Sequence, residues 1–367
     1  MAKFTDIFED VTKQGTKIPT NLYLETGKYP IIDQGQTQVA GYTNETEGVF
    51  TDIPAIIFGD HTRIIKYVDT PCFLGADGVK LLKAKDPTAN YRYLYYALCN
   101  ADIPNTGYNR HFKWLKEIEI PEYSMEEQNS IVFQLEKIDA LISLRKQQLS
   151  KLDELVKSRF IELFGDVKTN KFGWEKYRFG DVATKITDGE HGTVPRVEKG
   201  EGYLYFMARN ITKDGNIDLT ETSYVPEEVH RKIYKRCNPE TGDILLVCVG
   251  ATIGKCTIVP KDFEEFSMAR SVALIKPDRQ KVNSTFLISL LKSDAIQNDI
   301  SNCAHAAAQA GLYTNMIINL DAFLPPIELQ NQFAAFVEQT DKSKLAIQKS
   351  LDQLETLKKS LMQKYFG

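Results

Sequence analysis

The 367-residue chain carries 45 Lys and Arg side chains against 49 Asp and Glu side chains, a net charge of −4, and 43% of its residues are hydrophobic. This composition is that of a globular chain of two or three domains, and it excludes a protein whose whole surface is basic. The longest apolar runs are too short to cross a bilayer, and "MAKFTDIFEDV" has no signal-peptide core. We therefore expect a cytoplasmic protein without a membrane segment.

The six cysteines are scattered and form no C-x-x-C pair, which argues against a disulfide framework and against a zinc site. Buried, unpaired thiols in a reducing compartment are the expectation. They are Cys72, Cys99, Cys237, Cys248, Cys256 and Cys303.

Residues 1–124 form the first predicted segment, and "PAIIFGD" and "GYTNETEG" within it have the pattern of a buried strand and a turn. Gln34, Gln36 and Gln38 alternate, which predicts one face of a strand. Adjacent residues on a strand point to opposite faces, so Asp60 and its neighbour are a poor catalytic pair. The polar side chains at that predicted strand end are candidates for contact with nucleic acid. They are His61, Thr62 and Arg63.

The strongest local signal is "NTGYNRHFKW", residues 105–114, because it supplies donors for base edges and phosphates, and Gly107 allows close approach. The alternative is a solvated loop that leads into Trp114. The candidate contacts are Tyr108, Asn109, Arg110, His111 and Lys113.

Residues 125–166 are predicted to be one long helix of about 55–60 Å, at about 1.5 Å per residue, without an internal proline. Its apolar positions step by four and three residues, which is typical of a coiled-coil seam. The seam comprises Ile131, Leu135, Ile138, Ile142, Leu149, Leu152 and Val156.

Residues 167–324 form a second, mainly β segment that contains the predicted strand "DILLVCVG". "GATIGKC" resembles a phosphate loop but is one residue short, and Cys256 replaces the required Ser or Thr. A tight turn with an exposed tip is the better interpretation. Gln and Asn suit adenine and Arg suits guanine, although many of these positions would serve equally as ordinary surface. The candidates are Lys185, Thr187, His191, Thr193, Arg196, Arg209, Asn210, Thr252, Lys255, Gln309, Tyr313 and Asn315.

Residues 325–367 repeat the first helix at a constant offset, since Leu354 falls on Leu152 (354 − 152 = 202) and both copies end in Phe-Gly. Short runs of the two β segments are also alike. Two half-molecules in tandem would mimic a two-fold dimer, with the helices paired antiparallel. The second seam comprises Phe333, Val337, Ile347, Leu351, Leu354 and Leu361.

This arrangement, with "IP…EQ" and "LPP…LQ" before the helices and "LFGD" and "KYFG" at their ends, resembles the specificity subunit of type I restriction-modification systems. The resemblance covers essentially the whole chain. It implies an α+β fold in which two target recognition domains (1–124 and 167–324) are joined by two spacer helices (125–166 and 325–367). One departure is Leu329-Gln330, where the first copy has Glu127-Gln128.

The resemblance further implies a non-catalytic subunit that reads a bipartite double-stranded DNA site and docks two modification subunits and the restriction subunits. S-adenosylmethionine would be held by the modification subunits, and this chain would hold no cofactor or metal. A hydrolase that uses Asp60, His61 or a cysteine, and a coiled-coil scaffold that reads no DNA, are the alternatives. The segments carry 13 basic and 16 acidic residues (1–124) and 20 of each (167–324), so we expect weak DNA binding by the chain alone.

Overall fold

Short strands form where β-branched and aromatic residues cluster, and long helices form where the seam residues recur. A computed structural model describes residues 1–75, 78–107, 109–306 and 311–367. The chain divides into unit 1, Met1–Gln147 with Ile347–Gly367, and unit 2, Gln148–Ala346. Both long helices are therefore shared between the units. This division differs from the predicted one, which made each helix a domain of its own.

The described residues of unit 1 form nine strands and three short α-helices, with part of two long helices. The strands are β1 Ala2–Lys3, β2 Phe8–Asp10, β3 Tyr29–Ile32, β4 Gly41–Thr43, β5 Ala55–Gly59, β6 Ile65–Val68, β7 Phe73–Leu74, β8 Val79–Ala84 and β9 Glu119–Ile120. The short helices are α1 Phe4–Ile7, α2 Tyr91–Cys99 and α3 Phe112–Leu115, and α4, Met125–Phe164, follows.

The sheets of unit 1 are small and buried on the core side. An antiparallel sheet has the order β2-β8-β5-β6, and every residue of β5 is buried. A second sheet has the order β4-β3-β7, in which β3 and β7 are parallel. β1 pairs with β9 and so joins the start of the segment to the residues just before α4.

In unit 2, the part of the chain that the structure describes forms nine further strands and four shorter α-helices. The strands are β10 Glu175–Arg178, β11 Ala183–Asp188, β12 Tyr203–Phe206, β13 Tyr224–Val225, β14 Ile244–Val247, β15 Cys256–Ile258, β16 Phe266–Met268, β17 Val272–Pro277 and β18 Asp321–Leu324. The helices are α5 Glu227–Cys237, α6 Ser284–Leu291, α7 Asp294–Ala306 and α8 Thr314–Ile318, and α9, Ile327–Phe366, follows.

The two units repeat one topology. In unit 2 the antiparallel sheet has the order β11-β17-β14-β15, and the second sheet has the order β13-β12-β16 with β12 parallel to β16. β10 pairs with β18 as β1 pairs with β9. Helices α5 and α7 have no counterpart among the described residues of unit 1. The α+β class predicted from the sequence is confirmed.

In unit 1 the N-terminal part of α4 packs against the C-terminal part of α9. Lys358 Nζ lies 2.6 Å from Asp139 Oδ1, and Lys146 Nζ lies 3.1 Å from Glu355 Oε1. Since later residues of α4 meet earlier residues of α9, the two segments run antiparallel.

In unit 2 the C-terminal part of α4 packs against the N-terminal part of α9. Lys344 Nζ lies 2.7 Å from Asp153 Oδ1, and the ring centroids of Phe160 and Phe333 are 5.6 Å apart. These contacts are again antiparallel. The coiled coil over the whole length of both helices stays a prediction.

Every predicted seam residue is at least half-buried. The buried ones are Ile131, Leu135, Ile138, Phe333 and Leu351, and the half-buried ones are Ile142, Leu149, Leu152, Val156, Val337, Ile347, Leu354 and Leu361. Gly165 ends α4 with φ of 79°, a left-handed conformation that glycine adopts without strain.

A Gln at the same position of each repeat holds the start of each long helix, and the Leu329-Gln330 departure does not disturb it. Gln128 Nε2 donates to Tyr123 O (2.9 Å), and Gln330 Nε2 donates to Pro325 O (2.8 Å). Gln330 is fully buried, and its Oε1 also accepts from Asn283 N (2.9 Å). Among the described residues, no helix is long and apolar enough to cross a membrane.

Phe333→Ala should lower the free energy of unfolding of unit 2 by about 3–5 kcal/mol, because it opens a cavity beside Phe160 in a packed core. The chain has two Trp residues. In a Trp114→Phe background, urea unfolding followed by fluorescence reports on Trp174 in unit 2. Leu345→Ala is the control, since this side chain on the same helix is 74% exposed. An equal effect of both substitutions would contradict the packing.

Candidate nucleic-acid interface

Three separately predicted segments of unit 1 meet in one surface, which we call loop cluster 1. It comprises residues 33–38, 60–63, 105–107 and 109–113. His61 N donates to Gln34 Oε1 (3.2 Å), and Thr62 Oγ1 donates to Gln34 O (2.7 Å). The His61 ring Nδ1 lies 3.2 Å from Asn109 O. The β5–β6 turn thus contacts both of the other loops.

Asp60 connects the β5–β6 turn to the loop before α3. Its side chain is buried, and Oδ1 accepts from Phe112 N (2.7 Å). Its backbone oxygen accepts from His111 N (2.8 Å) and lies 2.9 Å from His111 Nδ1. Asp60 is therefore a positioning residue, and its hydrogen bonds fix where residues 109 and 110 leave the fold.

His111 is fully buried and its ring lies against Trp114, with centroids 5.4 Å apart. The expectation of a direct DNA contact is therefore wrong for His111, because no part of its side chain reaches the surface. Arg63 is also used within the fold, since its guanidinium donates to Ile103 O (3.0 Å) and its φ of 62° bends the turn.

Lys66 holds the loop of residues 33–38 in place, a role that no sequence pattern predicts. Its side chain is 3% exposed, and Nζ lies 3.3 Å from Asp33 Oδ1 and 2.6 Å from Thr37 O. Burial lowers the pKa of Lys66 below its ordinary value, and the nearby Asp33 opposes this. The loop begins after β3 ends, so the predicted strand for Gln34, Gln36 and Gln38 is wrong.

The remaining candidates of loop cluster 1 differ in exposure. Gln34, His61 and Arg63 are half-buried, whereas Gln36, Thr62, Asn109, Arg110 and Lys113 are exposed. Lys113 Nζ lies 4.1 Å from the Trp114 ring centroid. Tyr108 lies outside the described residues. The exposed donors suited to base edges or phosphates in this cluster thus centre on Asn109, Arg110 and Lys113.

Unit 2 builds an equivalent surface, loop cluster 2, from other residues. It comprises residues 188–196, 207–210, 248–255, 269–271 and 311–315. Leu312 N donates to Cys248 O (2.8 Å), as His111 N donates to Asp60 O in unit 1. Cys248 N donates to Ser271 O (2.9 Å). The backbone frame of the two clusters is therefore the same while the side chains differ.

The end of β11 is fixed by hydrogen bonds of the Asp188 carboxylate and by residues of α5. Asp188 Oδ2 lies 2.7 Å from His191 Nε2, and the Cys237 thiol donates to Asp188 O (3.3 Å). Arg236 hydrogen-bonds to Gly189 O. Lys185 is tied to a backbone carbonyl of α5, and Thr187 is half-buried. These two candidates lie on β11 rather than on a free loop.

Asn210 is 1% exposed, and its side chain completes a turn of the fold. Its Nδ2 donates to Asp218 O (2.9 Å) and Glu221 O (3.0 Å), and its Oδ1 accepts from Met207 N (3.0 Å). The expectation of a direct DNA contact is therefore wrong for Asn210. Its neighbour Arg209 is exposed and donates to Ser223 Oγ (2.8 Å).

The β14–β15 turn is the tight turn predicted for "GATIGKC", and it carries no phosphate-loop geometry. Gln297 Nε2 donates to Gly254 O (3.1 Å) and so attaches the turn to α7. Thr252 and Lys255 are half-buried, which corrects the expectation that both are exposed at the tip.

The exposed candidates of loop cluster 2 include Arg196, whose guanidinium lies 4.1 Å from the Tyr205 ring centroid. The others are His191, Thr193, Arg209, Tyr313 and Asn315, whereas Gln309 lies outside the described residues. Arg270 was missed by the sequence analysis. It is exposed, and its backbone N donates to Glu190 O (3.0 Å), which places it within the cluster.

The buried thiols bear on the alternative of a cysteine hydrolase. Burial raises the pKa of Cys72 and Cys256 to about 11 and that of Cys248 to about 12. Such thiols are protonated at neutral pH and are poor nucleophiles, which counts against a cysteine hydrolase. Within the described parts of the chain, no three His, Cys, Asp or Glu side chains come together as metal ligands.

A family model for the type I restriction modification DNA specificity domain matches residues 1–154 and 172–357. The chain belongs to this family. Each matched range covers one β segment and most of the long helix that follows it, which agrees with the repeated topology. The resemblance stated from the sequence is thereby confirmed.

Relatives in the family share about a quarter of the sequence. The MjaVIII specificity subunit of Methanocaldococcus jannaschii is 26% identical over 314 residues, 79% of this chain and 74% of that protein. The EcoR124I/EcoR124II specificity subunit of Escherichia coli is 29% identical over 222 residues, 54% of this chain and 53% of that protein. The solved S subunit from M. genitalium has a TM-score of 0.61 at 19% identity and covers 100% of this chain and 95% of that chain, so it shares the fold.

Asn210→Ala should lower the free energy of unfolding of unit 2 by roughly 1–3 kcal/mol, because it leaves buried backbone groups without hydrogen bonds. Arg209→Ala, one residue earlier on the surface, should change it by less than about 0.5 kcal/mol. Urea unfolding followed by Trp174 fluorescence, with Trp114 replaced by Phe, measures both. If Asn210→Ala left stability unchanged, its structural role would be refuted.

Proposed function

We propose that the chain is the DNA-reading subunit of a type I restriction-modification complex and that each unit reads one half of a bipartite double-stranded site. The observation that carries this proposal is the pair of loop clusters. One backbone frame is used twice, and different side chains are exposed on it. A protein that only paired helices would have no need of two diverged polar surfaces.

The exposed side chains of the two clusters are suited to contacts with different bases. Arg110 and Asn109 can make bidentate contacts with guanine and adenine in the major groove. In loop cluster 2, Asn315, Arg209 and Arg270 offer the same chemistry in another arrangement. Loops held by buried groups such as Asp60 and Asn210 keep these donors in place, which base reading requires.

Association with other subunits is part of the proposal. The chain would dock two modification subunits, which hold S-adenosylmethionine and methylate adenine, and would recruit restriction subunits. By itself it would neither methylate nor cleave DNA. The nearly even balance of charges in each β segment supports weak binding by the chain alone and tighter binding once the modification subunits close around the duplex.

The long helices would set the length of the unread gap between the half-sites. Each is 40 residues long, and each supplies core residues to both units. Their pairing would thus fix the separation of the two readers, and the gap would depend on helix length rather than on the loops.

Arg110→Ala should relax specificity at one half-site only, and Asn315→Ala at the other half-site only. Loss of one good bidentate base contact costs about 1–3 kcal/mol, or roughly ten- to a hundredfold in discrimination. Methylome sequencing of cells that carry each variant with its modification subunit measures this. Arg231→Ala is the control, since Arg231 is exposed on α5 and pairs with Glu227. Relaxation of both half-sites by one substitution would contradict separate reading.

A further inference from the structure

The start of each long helix packs against a short helix through the same pair of asparagines. In unit 1, Asn90 Nδ2 at the start of α2 donates to Asn129 Oδ1 on α4 (2.9 Å). In unit 2, Asn283 Nδ2 at the start of α6 donates to Asn331 Oδ1 on α9 (2.9 Å). These two corners are thus equivalent, and residues around them can be compared one by one.

An arginine fills the corner of unit 1. Arg92 is the second residue after Asn90, and its Nε lies 3.4 Å from Glu136 Oε1 on α4. Its guanidinium carbon lies 3.6 Å from the Tyr67 ring centroid, and NH2 lies 3.4 Å from Asp69 Oδ2. An aromatic face and two carboxylates thus hold one guanidinium in this corner.

The corner of unit 2 lacks that arginine and contains a hollow instead. Thr285 is the second residue after Asn283, so it takes the place of Arg92. A cavity of about 430 Å³ opens there, within the size range of ligand pockets. Its lining includes Thr285, Ala334, Ala335, Val337, Glu338 and Asp341.

One of the two carboxylates that hold Arg92 has a counterpart in unit 2, and a second carboxylate lies one turn further along α9, although the internal arginine is absent. Glu338 and Asp341 lie 202 residues after Glu136 and Asp139, the offset at which the helices repeat (354 − 152 = 202). Ala335 falls on Phe133 at the same offset, and Phe133 is 67% exposed in unit 1. Unit 1 thus presents a filled corner with a projecting ring, and unit 2 presents an open one.

The cations that now lie beside these carboxylates come from the same helix. Lys342 lies 2.8 Å from Glu338 with both side chains about two-thirds exposed, whereas Lys344 lies 3.5 Å from Asp341 and closer, 2.7 Å, to Asp153 of α4. The hydrogen bond and charge of Lys342 lower the pKa of Glu338 below its ordinary value, so Glu338 is ionised at neutral pH. The exposed Lys342–Glu338 pair contributes little stability, so an incoming cation can replace Lys342.

We propose that the hollow of unit 2 receives an arginine side chain of the modification subunit, which occupies the place that Arg92 fills internally in unit 1. The inference rests on the proposed function, which supplies that partner. Arginine fits better than lysine because a planar guanidinium can bridge two carboxylates while it packs on the apolar lining. The same side chain is excluded from unit 1, where Arg92 already lies.

The test measures binding of the purified modification subunit of the same restriction-modification system to the full chain by calorimetry, without DNA. Glu338→Gln combined with Asp341→Asn should raise the dissociation constant of one of the two docked modification subunits by at least about tenfold, through loss of charge-assisted hydrogen bonds. Thr285→Arg should do the same, because the new side chain pairs with Glu338 and fills the hollow. Thr285→Ser and Glu198→Gln are the controls and should bind like the wild type, since serine keeps the hollow open and Glu198 is an exposed carboxylate outside its lining.

Each result decides between the possibilities. Wild-type affinity in both Glu338→Gln/Asp341→Asn and Thr285→Arg overturns the inference while the proposed function stands. Failure of the wild-type chain to bind refutes the proposed function, and the inference falls with it. Sedimentation velocity of the chain alone tests whether a second copy of the chain occupies the hollow. Self-association of the wild type that both variants abolish would mean that a second copy of this chain fills the hollow, and would likewise overturn the inference.

Discussion

Neither unit has a complete hydrophobic core without segments of both long helices. In unit 1, Ile131 and Leu135 of α4 and Met362 of α9 belong to the core beneath α2. In unit 2, Phe160 of α4 and Phe333 of α9 pack together in the core beneath α6. Burial of these side chains joins distant parts of the chain within each unit, because residues 231 positions apart (362 − 131) share the core of unit 1 and residues 173 positions apart (333 − 160) share that of unit 2. The spacer helices are therefore structural parts of the readers as well as connections between them.

The need to complete each core with both helices also explains which features the two units share and which side chains differ between them. The sheets, the Asn pairs at the helix starts and the backbone bonds that hold the loop clusters occur in both units, because each serves the packing of the helices against the sheets. The side chains that project from the loops serve no such packing and differ between the units. A scaffold of this kind allows the read sequence to change without loss of the fold.

The sequence predicts the helices well because the seam repeats every three or four residues over many turns. The seam residues of both helices are buried or half-buried, as that repeat predicts. It predicts the loop clusters less well. His111 and Asn210 have the side-chain chemistry of DNA contacts, but both are buried. His111 is hydrogen-bonded to Asp60, which is distant in sequence, and Asn210 closes a local turn through its bond to Asp218. Arg270 and Lys66 were missed because one lies in a short loop between strands and the other inside a strand, and only the tertiary fold brings them to the clusters.

The most direct test of the account is an exchange of residues 1–124 for the corresponding segment of another specificity subunit with a known recognition sequence. Residues that face Ile131 and Leu135 would be kept, so that the core of unit 1 stays filled. Methylome sequencing of cells with the modification subunit then reads the new motif. The account predicts that one half-site changes to that of the donor while the other half-site and the gap are unchanged. A motif that stays the same, or that changes in both halves, would contradict two independent readers on one helical frame.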